Sequence, residues 1–146
     1  MNRRCPDNEL VGLGILLGQE WIINKRRVAN VVVSKKDLVY GLVYKISPSD
    51  ERKLDESEGV PRSYTKHIMK IVLQSENGEA KSMEQALVYI DKERTEEGKP
   101  REEYIIRINK GVDDASARGM PKWYIDEYIR KFIPADELKE AVPVGA

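Results

Sequence analysis

The sequence predicts an α+β fold, a small mixed β-barrel or curled sheet flanked by helices. Three features carry that reading. Short runs rich in aliphatic and β-branched residues fill most of the first 46 positions and alternate with turn-forming clusters. Two longer runs, residues 64–74 and 80–90, stand either side of Asn77-Gly78, a strong hairpin signal. Beyond residue 100 the apolar residues return at helical spacing.

Residues 9–17 carry Leu10, Val11, Leu13, Ile15, Leu16 and Leu17, interrupted by Gly12 and Gly14. Two glycines so close disfavour a helix and predict a strand with a bulge or bend. They do not open a nucleotide-binding loop, because the third glycine of that pattern falls on Leu17. Residues 19–23, with Trp21, Ile22 and Ile23, read as a short strand, residues 24–27 as a turn and residues 28–33 as another strand. Asn30 is the one polar residue inside it and is expected on a wet face or at an edge. Residues 34–37 read as a turn into a buried strand over residues 38–46.

A short helix follows. Ser47 suits its cap, Pro48 its first position, and Asp50 stands where a capping-box acid would. Leu54 is the apolar anchor and Gly59 the stop, so the helix should run from Pro48 to about Glu58. Glu58 then sits on the last turn, beside the negative end of the helix dipole. A carboxylate buried there has a raised pKa, as a general base working near neutral pH requires. On pattern alone, a Glu before a helix-ending Gly reads as a solvated surface residue.

Residues 61–63 form a loop, and the hairpin closes through residues 75–78. His67 is the only histidine, which leaves little material for a histidine triad or a His-rich metal site; it reads as a surface or strand-pairing residue. The charged stretch 91–99 is expected to be a loop or mobile excursion. A helix starts at Pro100 and presents Tyr104, Ile105, Ile108, Val112 and Ala115 on one face, ending by Gly119. Pro121 opens a shorter helix whose stripe of Trp123, Tyr124, Tyr128, Ile129 and Phe132 reads as core, terminated at Ile133-Pro134. The tail from Ala135 adds at most a turn before it frays.

The whole chain, 146 residues, is long enough for one domain with a real core. It balances 25 Lys+Arg against 25 Asp+Glu, which argues against general nucleic-acid or anionic-membrane binding. No apolar run is long enough to span a bilayer, and the start lacks the apolar core of a secretory signal. Cys5 is the lone cysteine, so no intrachain disulfide forms. A reducing, cytoplasmic setting is expected.

Tyr40-Gly41-Leu42-Val43-Tyr44, then Leu54-Asp55-Glu56-Ser57-Glu58-Gly59-Val60, then Tyr64 resembles the core of the γ-glutamylcyclotransferase family. That family's pattern is a W/Y-G-V-V-Y/W strand, a short helix, L-D-x-x-E-G-V and a Tyr opening the next strand. The likeness extends back to Arg4-Cys5-Pro6 and forward through Tyr104, Gly111, Gly119, Pro121 and Tyr124.

The resemblance implies a compact mixed barrel with a catalytic Glu in a cavity at its mouth. It implies cleavage of a γ-glutamyl amide: the substrate's own α-amine attacks its γ-carbonyl and yields 5-oxoproline and a free amine. The substrate would be a γ-glutamyl amino acid, glutathione or a γ-glutamylated pathway intermediate. No cofactor, metal or enzyme nucleophile is required. The base is assigned to Glu58 rather than to its neighbours: Glu56 is expected to face solvent and Asp55 to support the motif. Tyr64, Tyr89 and Tyr104 match tyrosines of the family's cavity, and Gly59 joins them as part of the substrate-binding segment. Dimerisation is left open.

One departure stands out. The family begins with a strand and a Y-G-S-N turn that holds the glutamyl group, whereas this sequence begins at the end of the following helix, with Met1-Asn2-Arg3-Arg4-Cys5-Pro6. The expectation is a single domain over residues 1–146, shortened at its N-terminus relative to the family, or an internal methionine of a longer protein. The competing reading is a non-catalytic or truncated paralogue that serves as a small-molecule or protein-binding domain.

Overall fold

The structure is a computed structural model that describes residues 8–60, 62–75 and 80–135. The Arg4-Cys5-Pro6 segment, the Asn77-Gly78 turn and the tail from residue 136 lie outside the described residues. The elements run β1 (Glu9–Ile23), β2 (Ala29–Lys45), α1 (Pro48–Ser57), β3 (Thr65–Gln74), β4 (Ala80–Ile90), α2 (Glu102–Ala117) and α3 (Lys122–Tyr124), which widens into a π turn over Ile125–Ile129. The strands form one antiparallel sheet in the order β2-β1-β3-β4. This is the expected α+β fold, a curled sheet flanked by helices.

Two pairs of expected strands prove to be single long ones. Leu17 faces Leu38 and Gln19 faces Val33, so Ser34, Lys35, Lys36 and Asp37 stand against Gly18 alone. The predicted turn at residues 34–37 is therefore a broad bulge inside β2. Gly18, with φ +79°, supplies the backbone conformation opposite it. The Ser34 hydroxyl donates to the Asp37 carboxylate, and the Tyr128 phenol donates to its other oxygen. A second irregularity falls between Leu10 and Gly12, where the paired glycines predicted a bulge.

The curl comes from β1, which pairs with β3 only at Gly14↔Leu73 and Ile15↔Val72. A Cβ at Gly14 would stand 2.7 Å from Val43 Cγ2 and 3.1 Å from Ile71 Cδ1, so this glycine lets β1 approach both neighbours. One face of the sheet buries Leu16, Val31, Val39 and Ile71, joined by Val43, Met69, Ala86 and Val88, inside the curl. The other packs Leu13 and Ile23 against Val112, Ala115, Met120, Tyr124 and Ile129 of the helices. The aromatic stripe is largely core: Tyr124 is fully buried, stacked on Tyr128 and edge-on to Tyr40, while Trp123 remains about half exposed.

The structure corrects the expectation for Asn30 and decides that for residues 91–99 in favour of a fastened loop. Asn30 is buried, not on a wet face. Its amide donates to the carbonyls of Asp91 (2.8 Å) and Arg94 (3.1 Å), and its oxygen accepts from the Asp91 N–H (2.9 Å). The stretch 91–99 is consequently strapped down along its length. Gly98 donates to the Ile23 carbonyl at 2.7 Å, Glu97 bridges to Asn24 and Lys131, and Arg27 reaches the carbonyls of Lys99 and Pro100. His67 sits within β3 opposite Val88, its ring bonded to the Thr65 hydroxyl at 2.7 Å.

Candidate active site

α1 places the central motif. Ser47 caps it, accepting from the Asp50 N–H at 3.1 Å with Pro48 following, as the sequence predicts. The last helical residue is Ser57, and Glu58 is the C-cap. The chain then closes on Gly59, whose φ is +65°. Gly59 N–H donates to the Glu56 carbonyl (3.2 Å) and Val60 N–H to that of Asp55 (3.0 Å), the paired bonds of a left-handed glycine cap. A Cβ on Gly59 would come within 2.9 Å of Ser63 Oγ, so both conformation and space call for glycine.

Glu51, Leu54 and Glu58 are three and four residues apart and share one face of α1. That face borders a cavity of about 480 Å³ inside the curl. The other walls come from β1, β2, β3 and β4 and are mostly aliphatic or glycine. The polar side chains among the lining are Glu51, Glu58, Tyr44, Gln85 and Tyr89. No atom lies within 4 Å of where a Cβ of Gly41 would stand, which leaves the β2 wall open at that point.

Tyr89 is tied to α1. Its phenol donates to Asp55 Oδ1 at 2.7 Å, and Asp55 Oδ2 accepts from Lys66 Nζ at 3.0 Å. Lys66 also binds Glu51 at 2.5 Å. Burial pushes the Tyr89 phenol above its usual range, and the bond to Asp55 and the charges of Asp55, Glu51 and Glu58 push it the same way. Asp55 is held below the ordinary carboxylate value, first by the Tyr89 bond and then by Lys66.

The four residues named with Glu58 therefore part company. Tyr89 lines the cavity with Glu58. Gly59 forms the turn just past it. Tyr64 is buried, and its hydroxyl donates to the Ala29 carbonyl at 2.7 Å. Burial raises its pKa, with Tyr104 and Glu58 adding to the rise and Arg26 opposing it, which puts Glu58 within electrostatic reach of this phenol. Tyr104 accepts the Ala29 N–H at 3.1 Å and lies under the Arg107 guanidinium, 5.3 Å from ring centre. Tyr64 and Tyr104 thus hold the carbonyl and the N–H of one residue, Ala29, at the start of β2. Sequence reasoning missed Glu51, Gln85 and Lys66. Only Glu51 had a readable signal, its helical spacing from Leu54 and Glu58.

The sequence profile of the AIG2-like family matches residues 38–128, well over half the chain. The chain belongs to the AIG2-like family. The matched segment holds the Tyr40-to-Tyr44 strand, the Leu54-to-Val60 motif, Tyr64, Tyr89 and Tyr104. Solved structures share the fold. An uncharacterised protein from Homo sapiens superposes with a TM-score of 0.73 at 20% identity, over 97% of this chain and 89% of that one. A γ-glutamyl cyclotransferase gives 0.71 at 20% identity, over 98% and 89%. An AIG2-like protein from Mus musculus gives 0.52 at 18% identity, over 61% of each chain. No curated protein matches the chain in sequence. The motif resemblance and the fold likeness agree: this AIG2-like chain has the γ-glutamylcyclotransferase-like fold. No described helix is long and apolar enough to cross a membrane.

Proposed function

We propose that this protein is a γ-glutamylcyclotransferase, converting a small γ-glutamyl amide into 5-oxoproline and a free amine, with Glu58 as the general acid/base. The observation that carries the reading is the placing of Glu58 by the Gly59 turn on the wall of a largely apolar cavity, with Tyr89 across from α1. The cavity volume, about 480 Å³, falls in the range of small-molecule sites, about 300–1,000 Å³.

The chemistry needs little else from the enzyme. Glu58 takes a proton from the substrate's α-ammonium, the freed amine attacks the γ-carbonyl, and the tetrahedral adduct expels the amine. Glu58 returns the proton to that leaving nitrogen, so one carboxylate serves both steps, and the ring nitrogen sheds its second proton to the departing amine or to solvent as the lactam forms. The apolar walls hold the glutamyl chain folded, and orientation of this kind supplies much of the rate of a cyclisation. Tyr89 has committed its proton to Asp55, so its oxygen offers lone pairs to the substrate's N–H groups. Tyr64 and Tyr104 support the site by fixing the start of β2, and Gly59 by holding the turn that aims Glu58.

The test is 5-oxoproline release, followed by mass spectrometry, from a panel of γ-glutamyl amides that includes glutathione, γ-glutamyl amino acids and γ-glutamyl alkylamides. Release from at least one, abolished in Glu58→Gln, is expected. A folded protein that releases none overturns the reading.

A further inference from the structure

The cavity carries charge of one sign. Its charged side chains are Glu51 and Glu58, and among the described residues no lysine, arginine or histidine lines it. Lys66, outside the lining, spreads one positive charge over two carboxylates, Glu51 at 2.5 Å and Asp55 at 3.0 Å. The Tyr89 phenol registers the excess: beyond burial and its bond to Asp55, the charges of Asp55, Glu51 and Glu58 all push its pKa up. The side chain of Glu51 is 41% exposed, so it meets a ligand where solvent also reaches.

Spacing adds to sign. Glu51 and Glu58 stand seven residues, or two helical turns, apart, about 10 Å along the axis of α1. Leu54 lies between them on the same face. The stripe therefore reads carboxylate, apolar, carboxylate, against walls that are mostly aliphatic or glycine. In a γ-glutamyl amide bent for cyclisation, the α-nitrogen lies about 3 Å from the γ-carbonyl carbon. Six bonds beyond that carbon, through the amide nitrogen and four methylenes, a terminal group stands roughly 10 Å from the α-nitrogen, at about 1.25 Å of extended chain per bond. With the α-amine at Glu58, that terminal group reaches Glu51. A carboxylate brought there meets a like charge and no cation in the lining, which is costly. An ammonium there meets an acceptor of opposite charge.

We propose that this cavity selects γ-glutamyl amides of diamines, with the α-ammonium at Glu58 and the ammonium of the leaving diamine at Glu51. The γ-glutamyl part rests on the cyclotransferase reading. The choice of a terminal ammonium rests on the charge and spacing of α1. Glutathione and γ-glutamyl amino acids, whose leaving groups carry a carboxylate, are then the poorer substrates.

The experiment uses three γ-glutamyl amides of matched length, made from 1,4-diaminobutane, pentylamine and 5-aminopentanoate. They end in an ammonium, a methyl and a carboxylate. On wild type, kcat/KM for 5-oxoproline release should fall in that order, by about 2- to 5-fold at the first step, the worth of a partly exposed ion pair. Glu51→Gln should bring the ammonium- and methyl-ended amides to parity, and Glu51→Lys should place the carboxylate ahead of the ammonium, with circular dichroism unchanged. Calorimetric titration of the same amides on Glu58→Gln, which lacks the base, should show the same order of affinity without turnover. Equal turnover of all three, or faster turnover of the carboxylate-ended amide, overturns the proposal and leaves the cyclotransferase reading standing. A preference that survives Glu51→Gln overturns it too. Should the Glu51 variants fail to fold, the order on wild type decides. If none of the three is turned over and the ammonium-ended amide still binds tightest, in a Glu51-dependent way, the cyclotransferase reading falls and the selection by Glu51 stands. No turnover and no order of binding sinks both.

Discussion

Tyr89 gives its phenolic proton to Asp55 across 2.7 Å, and so meets the cavity as a hydrogen-bond acceptor. The pair joins the edge strand β4 to α1, and Lys66 extends the link to Glu51. Removing either partner should release the other. Asp55→Asn and Tyr89→Phe should each lower kcat/KM, and the double variant should cost much less than the sum. Urea unfolding of the four proteins should give a coupling energy of about 1 kcal/mol, the net worth of one such bond. Additive effects would mean that the two side chains act separately.

Glu58→Gln should cut the rate by about 10²–10⁴-fold, the usual contribution of a general base, with little change in thermal unfolding. Glu56→Gln is the control, because Glu56 is exposed on the far side of the same turn and should stay near wild-type activity. Equal loss in both variants, or an active Glu58→Gln protein, would refute the assignment of the base.

The Asp55 network also makes a pH prediction. Asp55 has its folded-state pKa lowered from 3.8 by the Tyr89 bond and by Lys66. A group shifted that way adds stability that is fully present above the unfolded value and lost as pH falls through the folded one. The stability gap between wild type and Asp55→Asn should therefore be constant near neutrality and shrink only in acid below about pH 4. Lys66 is shifted upward by Glu51 and Asp55, so its contribution is present below its ordinary value of 10.5 and lost only as pH rises through the raised one. Chemical denaturation at pH 3, 5 and 7 checks the Asp55 sign, and extending the series through pH 9 to above the ordinary lysine value of 10.5 checks that of Lys66. A gap that persists unchanged in acid would show that the bond does not depend on the Asp55 charge.

How much of this was legible in the sequence follows from how local each determinant is. α1 could be read almost residue by residue, because Ser47, Pro48 and Gly59 act within their own turn. So could the Gly12 bulge and the helical face of α2. The 34–37 excursion could not be told from a turn, since its four residues remain extended only because Gly18, on a different strand, stands opposite. The destinations of the tyrosine hydroxyls were equally invisible. Tyr64 and Tyr104 meet at Ala29, distant in sequence from both, and only the packing of sheet and α2 brings the three together. Glu58 lay between these cases: its place on the helix was local, while the cavity it borders is built from every strand.

Asn30 sets the last prediction. It was expected on a wet face and instead makes three hydrogen bonds to the backbone of Asp91 and Arg94. Those bonds tie the stretch 91–99 to β2, and that stretch leads from β4 to the helix bearing Tyr104. Asn30→Ala would leave an N–H and two carbonyls, all three bonds fully or partly buried, without their partner. An unmet buried polar group costs about 1–3 kcal/mol, so a loss at the upper end of that range is expected. Asn30→Asp is the sharper variant. It keeps the shape and the acceptor for the Asp91 N–H, but it cannot donate, and it sets a carboxylate against two carbonyls. It should be at least as damaging as Ala. The strap, freed at one end, should become the first site cut by trypsin in limited proteolysis, at the bonds after Lys92 or Arg94, since the Lys99–Pro100 bond resists trypsin. Since Arg27 and Gly98 still hold the far end, the cuts should cluster at Lys92 and Arg94. If both variants unfold like wild type and resist trypsin there, Asn30 is not what fastens this stretch, and the Gly98 and Arg27 bonds are sufficient.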